Sequence, residues 1–148
     1  MEAAVLLHIE KTGAVKFDDP AGTLERLNTI MAQVARQTDR TDEQIKLQQF
    51  STPPTEAFAV VRAAGDLRGV TVLEPSAGTG SLAVMARIAG AHVVTNEIAP
   101  RRRALLEAMG FETHAVDAEL LDGTLPTDVK PQVIVISVRP RGYQAVAG

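Results

Sequence analysis

The stretch "GVTVLEPSAGTGSLAVMARIAG", residues 69–90, limits the folds open to this chain more than any other. "VTVLE" is a short run rich in β-branched residues and reads as a strand. Gly78 and Gly80 follow in a tight turn. The apolar segment "SLAVMARIA" then reads as a helix stopped by Gly90. Strand, glycine turn and helix in that order form the first half of a βαβ unit. Such a unit needs a second, parallel strand, and "AHVVTNE" supplies it.

The alternation continues downstream. "APRRRALLEAMG" reads as a helix from Pro100 to Gly110, "FETHAVDA" as a strand, "ELLDG" as a turn or short helix, and "PQVIVIS" as a strand. Val133 to Ile136 is apolar at every position, as a strand covered on both faces requires. Upstream, "TPPTEAFAVVRAAG" opens with Thr52 and Pro53 and stops at Gly65, which marks a further helix. Earlier still, Leu24, Leu27, Ile30, Met31 and Val34 recur at three- and four-residue steps, and Asp19-Pro20 is a helix start. Thr41 with Gln44 reads as a capping box for another short helix. The pattern predicts an α/β fold: a partial Rossmann-like, doubly wound parallel sheet of about four strands in the order 3-2-1-4. Residues 1–50 form an N-terminal helical extension, and residues 51–148 form the sheet domain.

Composition removes several function classes. The chain has 148 residues and no cysteine, so thiolate metal sites, disulfides and thiol catalysis are excluded. His8, His92 and His114 lack metal-ligand spacing, and no metal is expected. A net charge of −3 argues against the broad basic footprint of an autonomous nucleic-acid binder. No apolar run approaches a membrane span, and the N-terminus lacks the basic start of a signal peptide. A cytoplasmic location is expected.

In open α/β sheets the ligand lies beyond the C-terminal ends of the strands. Gly78, Gly80 and Ala83 make a Gly-x-Gly-x-x-Ala turn there, with the acidic Glu97 about 20 residues further on. An acid at the end of the second strand suits ribose hydroxyls. Asp117, at the end of the third, suits the exocyclic amine of an adenine. Glu74 separates the candidate ligands. A carboxylate at the tip of the first strand repels a pyrophosphate at close range and favours a cationic tail. S-adenosylmethionine carries an ammonium, a sulfonium and no phosphate.

"LEPSAGTG", Asn96-Glu97 and Asp117-Ala118 resemble motifs of the class I S-adenosylmethionine-dependent methyltransferases. "QFSTPP", residues 49–54, looks like the Phe-x-Thr-Pro element of the adenine-N6 DNA methyltransferases. The longer stretch from Arg40 to Gly80 resembles the methyltransferase-like domain of large bacterial, phage or plasmid proteins of the strawberry-notch helicase type. The likeness runs from about residue 24 to about residue 137. It implies that Phe50, Thr52 and Pro53 line the methionine end of the cofactor. Glu74, Ser76, Ala77, Gly78 and Gly80 would hold the amino-acid tail, Glu97 the ribose, Ile98 the adenine face, and Asp117 and Ala118 the adenine edge.

The chain departs from those enzymes after its fourth strand. Where they carry Asn-Pro-Pro-Phe or Asp-Pro-Pro-Tyr, this sequence reads Ser137-Val138-Arg139-Pro140. The acceptors for the target amine and the ring that stacks on a flipped base are missing in that form. Catalytic residues are therefore not assigned, and little methyl transfer is expected of the chain alone. Arg101, Arg102, Arg103, Arg139 and Arg141 are candidate phosphate contacts, which keeps nucleic acid as a weakly supported partner. A homodimer, or a protein partner covering residues 133–136, is expected because the last strand is apolar with little chain after it. The first alternative is a non-catalytic mobile-element protein that binds a host protein, such as an anti-defence inhibitor. A NAD-type oxidoreductase is disfavoured by Glu74 and by the lack of a second domain.

Overall fold

A computed structural model describes residues 2–37 and 52–137. The elements are α1 (Glu2–Thr12), α2 (Pro20–Gln37), α3 (Pro54–Ala63), β1 (Thr71–Glu74), α4 (Ser81–Ile88), β2 (His92–Asn96), α5 (Pro100–Ala108), β3 (Glu112–His114), a 3-10 turn (Ala118–Leu120) and β4 (Val133–Ile134). All four strands are parallel in one sheet, in the order β3-β2-β1-β4. The fold is the expected α/β one. Winding runs outward from β1 through β2 to β3, then returns to the other side of β1. The C-terminal ends of β1 and β4 therefore flank the point where the winding reverses, and the chain ends diverge there to leave a crevice.

Register fixes which side chains share a face. Val72 pairs with Val93 and with Val133, while Leu73 pairs with Val94 and with Ile134. Val72, Val93 and Val135 join Leu82, Val84 and Met85 of α4 in one apolar cluster. α4 packs on β1 and β2 on one side and on α1 and α3 on the other. That explains why "SLAVMA" is apolar all round, with every residue from Ser81 to Ala86 buried. Val5, Leu6 and Ile9 of α1 and Leu27 of α2 belong to the same cluster, so the N-terminal helices share the core of the sheet. The Phe17 and Phe58 rings meet at 5.2 Å between centroids, tilted by 46°.

The sequence pattern marks several helix ends correctly. α2 begins at Pro20, and the Asp19 carboxylate accepts a hydrogen bond from the Gly22 amide at 3.1 Å. α1 carries no comparable start signal and went unassigned in the sequence. The Thr41–Gln44 capping box lies outside the described residues. Two strands are shorter than their apolar or alternating runs. In "FETHAVDA" only Glu112–His114 pairs, and in "PQVIVIS" only Val133–Ile134 does. Both are edge strands with a partner on one side, which shortens the ladder. The Gln132 amide to the Thr71 carbonyl (2.9 Å) and the Val135 amide to the Leu73 carbonyl (3.0 Å) extend the β4 contact by single bonds. One face of β4 is in the core, with Val135 buried. The opposite face is open, with Ile134 56% and Ile136 52% exposed.

Arg87 ties the layers together. Its Nε and Nη2 donate to both carboxylate oxygens of Glu10 on α1, at 2.8 and 2.7 Å. Its Nη1 donates to the Met109 carbonyl at 2.7 Å, and its guanidinium lies 4.0 Å above the Phe111 ring. One half-buried side chain thus joins α1, α4 and the turn after α5. Replacing it leaves a carboxylate and a carbonyl without donors. Arg87→Ala is expected to cost about 2 kcal/mol in denaturant unfolding, with Arg87→Lys recovering only part because an ammonium cannot bridge both oxygens in plane. An unchanged unfolding midpoint for Arg87→Ala would contradict this account.

Candidate functional site

The loops beyond β1, β2 and β3 converge at one edge of the sheet. In the first of them, Gly78 and Gly80 have φ of 56° and 91°, a region that side chains rarely adopt. A Cβ at Gly80 would stand 2.9 Å from Cδ2 of Leu106, which is fully buried on α5. Glycine there lets α5 close against the turn.

Asn96, the last residue of β2, is 1% exposed and links three loops. Its Nδ2 donates to the Pro75 carbonyl at 3.0 Å and to the Val116 carbonyl at 2.7 Å. Its Oδ1 accepts from the Val116 amide at 2.9 Å. Its own carbonyl accepts from the Ala77 amide at 2.9 Å. The next residue, Glu97, turns its carboxylate inward. One oxygen accepts from the Gly78 amide at 2.8 Å and the other from the Ala99 amide at 2.9 Å.

Glu74 has the opposite environment. It is 3% exposed, and its Oε2 is buried without a hydrogen-bond partner. Burial pushes its carboxyl well above the usual carboxylate range; the Ala83 backbone amide works against the shift, and the negative charge of Glu97 adds to it. Glu74 lines a cavity of about 180 Å³ with Thr52, Ser76, Ala77, Ser81, Leu82 and Ser137. This cavity stands where β1 and β4 diverge, since Glu74 ends β1 and Ser137 follows β4 closely. Ser81, the first residue of α4, is 2% exposed, and its Oγ also lacks a partner. A larger surface hollow of about 520 Å³ lies between α1 and α2, lined by His8, Lys16 and Arg26 among others, and contains neither of these two atoms.

The candidate residues read from the sequence divide into groups. Thr52, Glu74, Ser76 and Ala77 share the cavity. Gly78 and Gly80 shape its rim, and Glu97 grips Gly78. Ile98 is 61% exposed beyond β2. Asp117 is exposed, and its Oδ1 caps the 3-10 turn by accepting from the Glu119 amide at 3.0 Å. Ala118 is exposed beside it, and neither lines the cavity. Pro53 is exposed ahead of α3. Phe50 lies outside the described residues, as do Val138 to Pro140.

Ser81, Ser137 and Asn96 were not singled out as site residues. The signal for Asn96 was a polar side chain ending the apolar run "HVV". Ser81 directly follows the glycine turn and Ser137 lies three residues beyond β4, where side chains meet the crevice. Among the described residues, no group of three or more His, Asp or Glu side chains could hold a metal ion. No described helix is long and apolar enough to cross a membrane.

No protein-family model matches the chain, and neither the curated proteins nor the solved structures give a match. The fold and the geometry of the strand ends define an α/β protein with a small cavity at the switch point of a parallel sheet.

The buried Glu74 carboxyl has a measurable consequence for stability. A carboxyl whose pKa is raised on folding binds its proton more tightly in the folded chain. Stability then falls as pH climbs from the unfolded value, about 4.3, through the raised one. Glu74→Gln removes that loss. It is expected to raise stability at pH 7–8 by about 1–3 kcal/mol and to flatten the slope of the thermal midpoint against pH. A less stable variant with an unchanged slope would show that the carboxylate has a favourable internal partner.

Proposed function

We propose that this chain binds S-adenosylmethionine at the switch-point cavity, as a methyltransferase-like domain. One observation carries the proposal: a buried carboxyl with one unpartnered oxygen lines the cavity where an open α/β sheet receives its ligand. A pyrophosphate is a poor occupant. Glu74 opposes its charge, and the Gly78 amide it would need already donates to Glu97. An ammonium group suits the same place, because it brings a cation and N–H donors to the unpartnered Glu74 oxygen. In this proposal the Glu97 carboxylate accepts from the ribose hydroxyls through its remaining lone pairs. Ile98 offers an apolar face to the adenine, and Asp117 and Ala118 meet the ring edge. Thr52 and Pro53 cover the methionine end. The proposal is one of binding. It includes no assigned general base and no methyl acceptor, though a nucleic-acid amine is the acceptor that the family resemblance suggests. A cytoplasmic location fits the absence of cysteine.

Isothermal titration should detect binding of S-adenosylmethionine or S-adenosylhomocysteine and none of NAD. Glu74→Ala should weaken it by about 1.5–3 kcal/mol, the scale of a charge-assisted hydrogen bond. Affinity should rise with pH as Glu74 loses its proton to receive the cationic tail. Tritiated methyl transfer to DNA or RNA should be little or none. Undetectable binding at millimolar ligand would overturn the proposal, and robust transfer abolished by Asp117→Ala would restore an enzyme.

The open face of β4 favours a second element of the proposal. Ile134 and Ile136 are apolar, exposed and next to an edge strand whose outer backbone groups face away from the sheet. We propose that a second copy or a protein partner covers residues 133–136, which also accommodates a mobile-element protein directed at a host complex. Light scattering at tens of micromolar should give a dimer mass that Ile134→Asp with Ile136→Asp returns to a monomer. A stable wild-type monomer would count against self-association.

A further inference from the structure

Glu74 is one of two side chains with a buried, unpartnered oxygen among the described residues; Ser81 is the other. They arrive from different elements, the end of β1 and the start of α4, and line one cavity. A buried hydroxyl without a partner costs free energy that a methyl group of the same size would not. Serine at this position therefore needs a compensating role. A helix begun by Ser81 gains no cap from it, since Gly80 occupies the N-cap position and no side-chain capping bond is made there. The other polar side chains on the cavity wall are hydroxyls, Thr52, Ser76 and Ser137, and among the described residues no cationic side chain lines it.

We propose that Ser81 is a specificity-determining residue that, with Glu74, selects ligands bearing a primary ammonium group. The inference rests on the S-adenosylmethionine proposal and adds the atom that reads the tail. A primary ammonium has three N–H donors and no acceptor. A carboxylate oxygen can take one and neutralise the charge. The Ser81 Oγ takes a second, and a hydroxyl from the remaining wall takes the third. A carboxylate group on the ligand would instead meet Glu74 as a like charge. The pair thus recognises the amino end of the tail, not its acid end. Glu97 is the nearby charged group, and its carboxylate is held by the Gly78 and Ala99 amides.

The test compares three ligands on the wild-type chain and on Ser81→Ala by titration calorimetry. S-adenosylhomocysteine carries both tail groups. Decarboxylated S-adenosylmethionine keeps the ammonium and lacks the acid. 5′-Methylthioadenosine keeps the nucleoside and thioether and lacks both. Ser81→Ala should weaken the first two about tenfold or more and leave the third within about twofold. Its thermal midpoint should be unchanged or higher, because an unpartnered hydroxyl is removed. Equal affinities for all three ligands in both proteins would overturn the inference while leaving the cofactor proposal standing. So would a loss confined to S-adenosylhomocysteine, which would move Ser81 to the acid end. A lowered midpoint would also overturn it, by showing that the hydroxyl has a structural partner. If the wild-type chain binds none of the three at millimolar concentration, the cofactor proposal and this inference fall together.

Discussion

The strand-end surface depends on the amide of Asn96. A parallel sheet brings its loops to one edge but does not by itself hold them at fixed separations. Asn96 does so with both halves of its side chain. Its donors reach carbonyls in the loops after β1 and β3, and its acceptor takes an amide from the latter. At 1% exposure these bonds act without competition from water. The side chain has the required two donors and one acceptor on a short stem; aspartate would place acceptors against two carbonyls. The loops after β1 and β3 are positioned relative to this one residue.

Two glutamates at neighbouring strand ends show how environment divides one chemistry into two roles. Glu97 is 7% exposed, and each of its oxygens receives a backbone amide. It remains an acceptor and braces Gly78. Glu74 is as deeply buried and has one oxygen with nothing to bind. Burial pushes its carboxyl above the usual carboxylate range, and the charge of Glu97 adds to the shift. The stability lost by burying it has a natural counterpart in a cationic ligand, which would convert the group into a carboxylate with a partner. Among the described residues, unpartnered buried side-chain oxygens occur only at this cavity, a local cost that distinguishes a binding site from packing.

The cavity could not stand where it does without the helices behind it. α4 carries Ser81 at its start and Arg87 in its last turn. Arg87 fixes that last turn to Glu10 and to the Met109 carbonyl. Gly80 lets Leu106 press against its first turn. Held at both ends, α4 presents Ser81 beside Glu74 with little freedom to turn away. α1 thus contributes to the site mechanically, through the helix that its Glu10 holds.

Local chemistry made much of this visible in the sequence. β-Branched runs, glycine stops and the Asp19-Pro20 start determine elements within a few residues, because they act on the backbone where they stand. The alternation of those elements determines a parallel sheet, through the crossover that each strand–helix–strand unit requires. "LEPSAGTG" placed an acid and two glycines at a strand end for the same reason. The tertiary structure decided which groups those side chains meet. Glu97 reads in the sequence as a ribose acceptor, yet its oxygens already hold two amides of the turn. Ser81 reads as an ordinary helix residue, yet its hydroxyl is sealed beside Glu74. Ile134 reads as a buried position, yet its face of β4 is open. Burial and pairing are properties of surfaces brought together across long separations in the chain, and no local pattern of residues specifies them.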